Sequence, residues 1–319
     1  MRPEAILPEI FAAYYGKVSY VQVESDTTWT STCPKCGGDV HPGGEWPDRC
    51  TWFADAKPLG YCRVCSGLFW PDADGYEPDP QELEKWRKRQ EQREQERKRS
   101  AERALENLRR DRFYERYHDQ MGDVGERYWE QRGVPRTYQM WWQLGYDADH
   151  RFFVRGELWR TATATIPIMG KDWAPLNVKH RLINVPSDGS KYRYELSGQG
   201  QGLFRCNPDI DLANHVIAVE GEIKAMVVMV TLDNANAKVV GLPGTNPSDD
   251  VLSELAQAER VTLVMDPGAR RETWRLTGKL GRERCRVLIP SMKVDDGILL
   301  SGMTKRELET MLRTAVPAG

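Results

Sequence analysis

"VIAVEGEIKAMVV", residues 216–228, is a short apolar run that meets Glu-Gly-Glu and then continues with helical spacing. A strand this apolar is buried on both faces, so a carboxylate at its tip, Glu220, needs a reason to be there. The stretch opens a series. Strand "HVIAVEGE" (215–222) leads into helix "IKAMVVMVTL" (223–232), strand "KVVGLPG" (238–244) into helix "SDDVLSELAQA" (248–258), and strand "RVTLVMD" (260–266) into a helix near "RRETWRLTGKL" (270–280); "RCRVLIP" (284–290) closes it. Apolar strands alternating with helices predict a parallel α/β sheet, and such sheets bind ligands beyond the carboxyl ends of their strands. Glu220 and Asp266 end two of these strands, and "KVDD" (293–296) brings Asp295 and Asp296 after the fourth. Four carboxylates converging on one edge repel one another unless cations lie among them, and hard oxygen ligands with open positions suit Mg²⁺ or Mn²⁺. The plainer reading is that each carboxylate caps the helix that follows it.

The chain has 319 residues, 40% of them hydrophobic, enough for two or three units. No apolar run approaches the ~20 residues of a membrane span. The start "MRPEAILPEIFAAYYG" lacks a basic stretch followed by a long apolar block and a cleavage site, so a soluble, cytoplasmic protein without a membrane partner is expected. A net charge of −2 excludes a strong overall nucleic-acid field, and any such partner must be met by a local patch.

Five of the seven cysteines lie between Cys33 and Cys65, which in a chain that is not exported points to metal rather than disulfides. Cys33-Pro34-Lys35-Cys36 and Cys62-Arg63-Val64-Cys65 are separated by 25 residues, and each pair runs into a glycine-bearing turn, "CPKCGG" and "CRVCSG". Two such knuckles aim four thiolates at one ion, which suits tetrahedral Zn²⁺. Redox chemistry is the competing use of such pairs. His41 and Cys50 are substitute-ligand candidates, although neither belongs to a turn pair, and Cys50 within the strand-like "DRCTWFADAKPLGYC" (48–62) fits a small core residue. A ribbon of this size has little core, so the metal holds it together.

From Gln81 to Met121 there is neither glycine nor proline, and from Gln81 to His118 there are 13 Lys/Arg against 9 Asp/Glu. Glu84/Lys88, Glu94/Lys98 and Glu106/Arg110 are i,i+4 pairs in the favourable order. They predict a helix, solvated all round from Arg87 to Ser100, that spaces the ribbon from the rest. A second globular part begins near Gly125, with an amphipathic helix ending at Gly133 and another turn of helix up to Gly145. Strand-like runs "ATATIPIM" (162–169), "WAPLNVKHRLI" (173–183) and "SKYRYEL" (190–196) follow. Between Arg160 and Arg205 there are seven Lys/Arg against three Asp/Glu. Lys179, Arg181, Lys191 and Arg193 interleave with Tyr192 and Tyr194, so one cationic strand face aimed at phosphate is expected, with an ordinary polar strand face as the alternative.

"AVEGEIKA", "VMDPGA" and "KVDD" together resemble the TOPRIM domain, and the order of parts resembles the bacterial and bacteriophage primases. "CPKCGG…DRCTWF…GYCRVC" is similar to their zinc-binding domain, and "RYWEQRGV…WWQLGY", "TIPIM" and "SKYRYELSGQGQGLF" are similar to the amino-terminal half of their RNA polymerase core. The expected architecture is multi-domain α/β: a zinc ribbon over residues 1–78, a charged helical linker over 79–121, a basic α+β subdomain over 122–212, and a TOPRIM parallel sheet with a C-terminal helix over 213–319. The resemblance implies an enzyme of a bacterial or phage-infected cell that copies single-stranded DNA into a short RNA primer from ribonucleoside triphosphates. By that analogy Glu220 and Asp266 bind the catalytic metals, Lys191 meets nucleotide or template phosphate, and the zinc ribbon helps select the initiation site.

Family members usually show Asp-x-Asp at the second acidic motif, where this chain has Asp266-Pro267-Gly268. Either Asp295 and Asp296 make up the deficit or the metal site is weakened, and Gly268→Asp is expected to tighten metal binding provided the backbone does not need positive φ. There is no G-x-x-x-x-G-K-[ST] phosphate loop, so a replicative helicase is expected in trans. Two other classes stay open. One is a recombination-mediator-like protein that combines a zinc module with a TOPRIM fold and binds DNA without catalysis. The other is a TOPRIM nuclease or topoisomerase, for which no ATPase motif and no distinguished tyrosine stand out.

Overall fold

The computed structural model describes residues 7–37, 50–55, 58–65, 67–71, 80–154, 157–186, 189–196, 202–207, 212–234 and 236–318; His41 lies outside them. The chain forms two compact units, Met1–Glu94 and Gln95–Gly319.

In the first unit a 3₁₀ segment, Glu9–Lys17, precedes strands β1 (Gln22–Ser25), β2 (Thr28–Ser31), β3 (Cys50–Phe53), β4 (Leu59–Cys62) and β5 (Leu68–Phe69), which pair antiparallel in chain order. Its core is aromatic. Trp52 is fully buried, packs on Phe11, Tyr14 and Phe69 at centroid distances of 4.9, 5.2 and 5.7 Å, and donates its indole N–H to Ser31 Oγ at 2.8 Å. Burying a tryptophan with its polar atom satisfied gives this small sheet most of its apolar payload.

Helix α1 (Pro80–Asp111) follows. Residues 91–100 are solvated, with only Glu94 half-buried, as the charge pattern predicts. The last turns differ. Leu108 is fully buried among Tyr114, Tyr117 and Val178, and Arg112, in a left-handed conformation (φ 47°, ψ 48°), separates α1 from α2 (Phe113–Asp119).

The second unit continues with α3 (Gly122–Gln131) and α4 (Arg136–Trp141), then strands β6 (Gly145–Val154), β7 (Glu157–Met169), β8 (Pro175–Leu182) and β9 (Tyr192–Tyr194), an antiparallel sheet in the order β6-β7-β8-β9. The remaining elements alternate: β10 (Phe204–Arg205), β11 (His215–Glu220), α5 (Glu222–Leu232), β12 (Val239–Leu242), α6 (Asp249–Leu255), β13 (Arg260–Val264), α7 (Arg270–Leu280), β14 (Cys285–Leu288), α8 (Val294–Leu299), α9 (Lys305–Arg313) and β15 (Val316–Pro317). They build a six-stranded sheet ordered β10-β12-β11-β13-β14-β15, whose four central strands are parallel and whose edges are antiparallel. The parallel strands are the four that the alternation predicts, and the sequence reading missed β6 and the edge strands β10 and β15.

The strands are apolar throughout because both faces are covered. Along β11, Val216 and Ala218 face a layer with Leu252 and Leu255 of α6 and Leu276 and Leu280 of α7. Val219 faces the other layer, with Met226 and Met229 of α5, Val294 of α8 and Leu308 of α9. Trp129 and Trp142 extend that second layer, and their indole N–H groups donate to the carbonyls of Gly145 (3.1 Å) and Cys206 (2.8 Å). Thr304 caps α9 in a capping box with Glu307.

Candidate functional site

The parallel sheet turns its strand tips toward one cavity of about 400 Å³. Glu220 is the last residue of β11, and Gly221 then takes φ 91° to swing the chain into α5, a conformation that side chains resist. Asp266 lies two residues past the end of β13, and Asp295 is in the first turn of α8. All three line the cavity, and Asp296 is not among its lining residues.

The carboxylates are tied together. Glu220 Oε2 accepts the backbone N–H of Asp266 at 3.1 Å. Lys224, one turn into α5, places its ammonium 2.5 Å from Asp266 Oδ1. Asp295 Oδ1 is buried and has no hydrogen-bond partner, and burial first, then the charge of Asp296, raises its carboxyl above the ordinary aspartate value. An orphaned buried oxygen within an all-oxygen acidic set is what a hard divalent cation satisfies, so these residues fit Mg²⁺ or Mn²⁺.

The facing wall comes from the antiparallel sheet. Lys179 of β8 is 4% exposed, and its Nζ lies 2.7 Å from both carboxylate oxygens of the buried Glu222. Its ammonium also sits over the rings of Tyr192 and Tyr194, at 4.6 and 5.5 Å. Lys179 lines the cavity, as expected, but its charge is paired inside the protein, where it pins β8 to α5. Arg181 and Lys191 line the cavity too, with the Arg181 guanidinium 5.0 Å from the centre of Tyr192. Burial, partly opposed by Arg181, pushes the Tyr192 phenol up to about 12.

Arg193 faces elsewhere. The β8–β9 register pairs Lys179 with Tyr194, His180 with Arg193 and Arg181 with Tyr192, so Lys179 and Arg181 share their face with the tyrosines and Arg193 takes the opposite one. There its guanidinium lies 5.3 Å from the Phe152 ring, in a second cavity of about 560 Å³ with Arg151, Phe153 and His150. The single cationic face expected from the sequence is two faces.

Gly268 has φ +90° with open space around its Cα. Its backbone does need positive φ, so the condition on which Gly268→Asp was expected to tighten metal binding is not met. Three cavity residues escaped sequence reasoning: Arg132, Lys224 and Lys293. Lys224 stood inside the decisive stretch, but only the rotation of α5 about its axis shows that it points at Asp266 and away from solvent.

In the first unit Cys33, Cys36, Cys62 and Cys65 present sulfurs within 4.8 Å of one another. Cys33 Sγ lies 3.7 Å from Cys65 Sγ, and Cys36 Sγ 3.7 Å from Cys62 Sγ. A tetrahedron with Zn–S bonds of about 2.3 Å has edges of about 3.8 Å, so the four thiols fit zinc. The amides of Lys35 and Cys36 donate to Cys33 Sγ at 3.4 and 3.5 Å, which is how the knuckle aims its sulfur. Cys50 is fully buried and outside the cluster, a core residue opposite Cys62 in the sheet.

No protein-family profile and no curated protein matches the sequence. Solved structures do match. The zinc-binding and RNA polymerase domains of the Aquifex aeolicus primase superpose with a TM-score of 0.53 at 14% identity, covering 97% of this chain and 83% of that one. The DnaG primase catalytic domain bound to single-stranded DNA gives 0.52 at 14% identity over 70% of this chain and 84% of that one. The E. coli primase catalytic core gives 0.51 at 15% identity over 68% and 80%. Among the described residues no helix is long and apolar enough to cross a membrane. The described chain has the fold of the zinc-binding and RNA polymerase domains of bacterial primases, a multi-domain α/β architecture with a four-cysteine cluster.

Proposed function

We propose that the protein is a DNA primase that condenses ribonucleotides on single-stranded DNA, with its reaction centre in the cavity at the strand tips of the TOPRIM-type sheet. The observation that carries this reading is the meeting of Glu220, Asp266 and Asp295 with Arg132, Arg181 and Lys191 in one cavity. Acids and cations meeting in one cavity suit a nucleoside triphosphate, whose phosphates need both counter-charge and a place for a divalent cation. The domain division expected from the sequence is kept as part of the proposal.

Primer extension joins a 3′-hydroxyl to an α-phosphate and releases pyrophosphate. Glu220, Asp266 and Asp295 would hold a divalent cation, which would supply stabilisation of the charge that develops in the transfer. The chain's own residues do the rest. Lys191 and Arg181 bind phosphate oxygens, the guanidinium as a fork and the ammonium as a point charge. Tyr192 gives Arg181 a flat surface that limits its rotamers, and the Lys179–Glu222 pair holds β8, and with it β9, against α5. The second cavity, with Arg193, Arg151, Phe152 and Phe153, combines cations with aromatic faces and suits the single-stranded template. A replicative helicase and zinc-guided choice of the initiation site belong to the same proposal.

Lys224 favours a second reading. Its ammonium already neutralises Asp266, as a DNA-binding protein without catalysis would tolerate. The two readings part in one experiment: incubation of the protein with single-stranded templates, labelled ribonucleotides and Mg²⁺ or Mn²⁺. Short oligoribonucleotides support the primase; DNA binding with no product on any template supports the binding protein.

A further inference from the structure

A cluster on the far face of the antiparallel sheet lies outside the proposed reaction centre, and two of its members, His150 and Glu195, line the cavity proposed for the template. His150 of β6, His180 of β8 and Glu195, the residue after β9, bring their ligand atoms within 4.8 Å of one another. His180 Nε2 lies 2.8 Å from Glu195 Oε2, and the two imidazole rings stack with centroids 3.8 Å apart and an interplanar angle of 19°. His180 is fully buried, with no accessible surface.

Each ligand has a supporting partner. His180 Nδ1 is held at 3.0 Å by the hydroxyl of the buried Thr163, and His150 Nδ1 lies 3.3 Å from Asp147 Oδ2. Glu195 Oε2 also accepts the Tyr117 hydroxyl at 3.0 Å. Outer groups that fix the tautomer and orientation of histidines, with a carboxylate between them, are the recurring support of metal-binding imidazoles. Bonds of about 2.1 Å at tetrahedral angles set ligand atoms about 3.4 Å apart. The His180–Glu195 contact of 2.8 Å and the stacked rings are tighter than that, so both open as the ion enters.

We infer that His150, His180 and Glu195 form a second transition-metal site, separate from the four cysteines and from the acidic cavity. Two imidazoles and one carboxylate suit Zn²⁺ or a neighbouring first-row ion and disfavour Mg²⁺, which takes oxygen ligands. For Nε2 of His180 to face the ion, the ring carries its N–H at Nδ1, where the Thr163 hydroxyl accepts it. His150 and Glu195 line a cavity with Arg193, from which water or an anion would complete the shell. The ion joins three strands of one sheet, β6, β8 and the end of β9. Tyr192, on the opposite face of β9, lines the acidic cavity, so filling the site stiffens the strand that carries the proposed nucleotide wall.

Zinc per chain decides the matter. The full chain is equilibrated with Zn²⁺ in a large excess of Mg²⁺, which keeps the oxygen-only site occupied, and free metal is removed before elemental analysis. Two equivalents are expected in the wild type, and also in Glu220→Gln. One equivalent is expected in His150→Ala and in Glu195→Gln, with thermal unfolding to show that both variants remain folded. With Co²⁺ in place of Zn²⁺, the thiolate charge-transfer band of the cysteine site should persist in both variants while part of the remaining visible absorption is lost. A wild type that takes up one equivalent overturns the inference without reference to any variant. So do two equivalents retained in folded His150→Ala and Glu195→Gln.

Discussion

At the scale of single residues, the acidic cavity is a contest for Asp266. The Lys224 ammonium is within 2.5 Å of it, and both side chains are largely shielded from water, at 16% and 20% exposure. A fixed positive charge there competes with any divalent cation. Removing it in Lys224→Met should tighten Mn²⁺ binding by about fivefold, corresponding to about 1 kcal/mol for a partly screened pair; a binding isotherm that is unchanged or weaker shows that Lys224 supports the site. Gly268 makes the opposite point. Replacing it with Asp adds the carboxylate that the family pattern has, but at φ +90° the side chain should cost about 1–3 kcal/mol of stability. A lower unfolding midpoint for Gly268→Asp, with no gain in metal affinity, is the expected outcome, and a variant as stable as wild type with tighter metal binding would contradict it.

Among elements, the joint between β8 and α5 rests on a buried ion pair, Lys179 with Glu222. Removing one partner leaves an uncompensated buried charge, so Glu222→Leu should cost about 3–5 kcal/mol, whereas Lys179→Met/Glu222→Leu should recover most of it. Chemical denaturation of the wild type and the two variants measures both; a double variant no better than the single would mean that the pair is not an isolated charge couple. The knuckles form the other joint. Cys62→Ser should lose the zinc of the first unit and with it the order of that small sheet, while Cys50→Ser should keep the metal. Metal analysis, with limited proteolysis of the first unit as the folding probe, checks both, and zinc loss in Cys50→Ser alone would replace the ligand set.

For the whole molecule, what the sequence made legible follows from which forces are local. The four parallel strands show as apolar runs because each is buried on both faces, and the zinc knuckles show because their ligands are neighbours in the chain. β6, "GYDADHRFFV", carries a polar face and gave no such run. The break at Arg112 has no glycine or proline to announce it. The division of the cationic strand depends on the β8–β9 register, in which a shift of one residue exchanges the faces. The Lys224–Asp266 contact depends on how α5 packs on β11 and β12, so a departure from the expected acidic pattern was visible at Gly268 and its companion lysine was not.

The central claim, that Glu220 serves a metal-dependent nucleotidyl transfer, is tested most directly by Mg²⁺ titration of primer synthesis with wild type and Glu220→Gln. Gln keeps the shape of the side chain and removes its charge. The account predicts that the wild type makes short oligoribonucleotides on single-stranded DNA and that Glu220→Gln loses ~10²-fold or more of that rate at every Mg²⁺ concentration, with DNA binding intact. A Glu220→Gln variant that primes at the wild-type rate, or a wild type that makes no primer with any template or metal while still binding DNA, would contradict it.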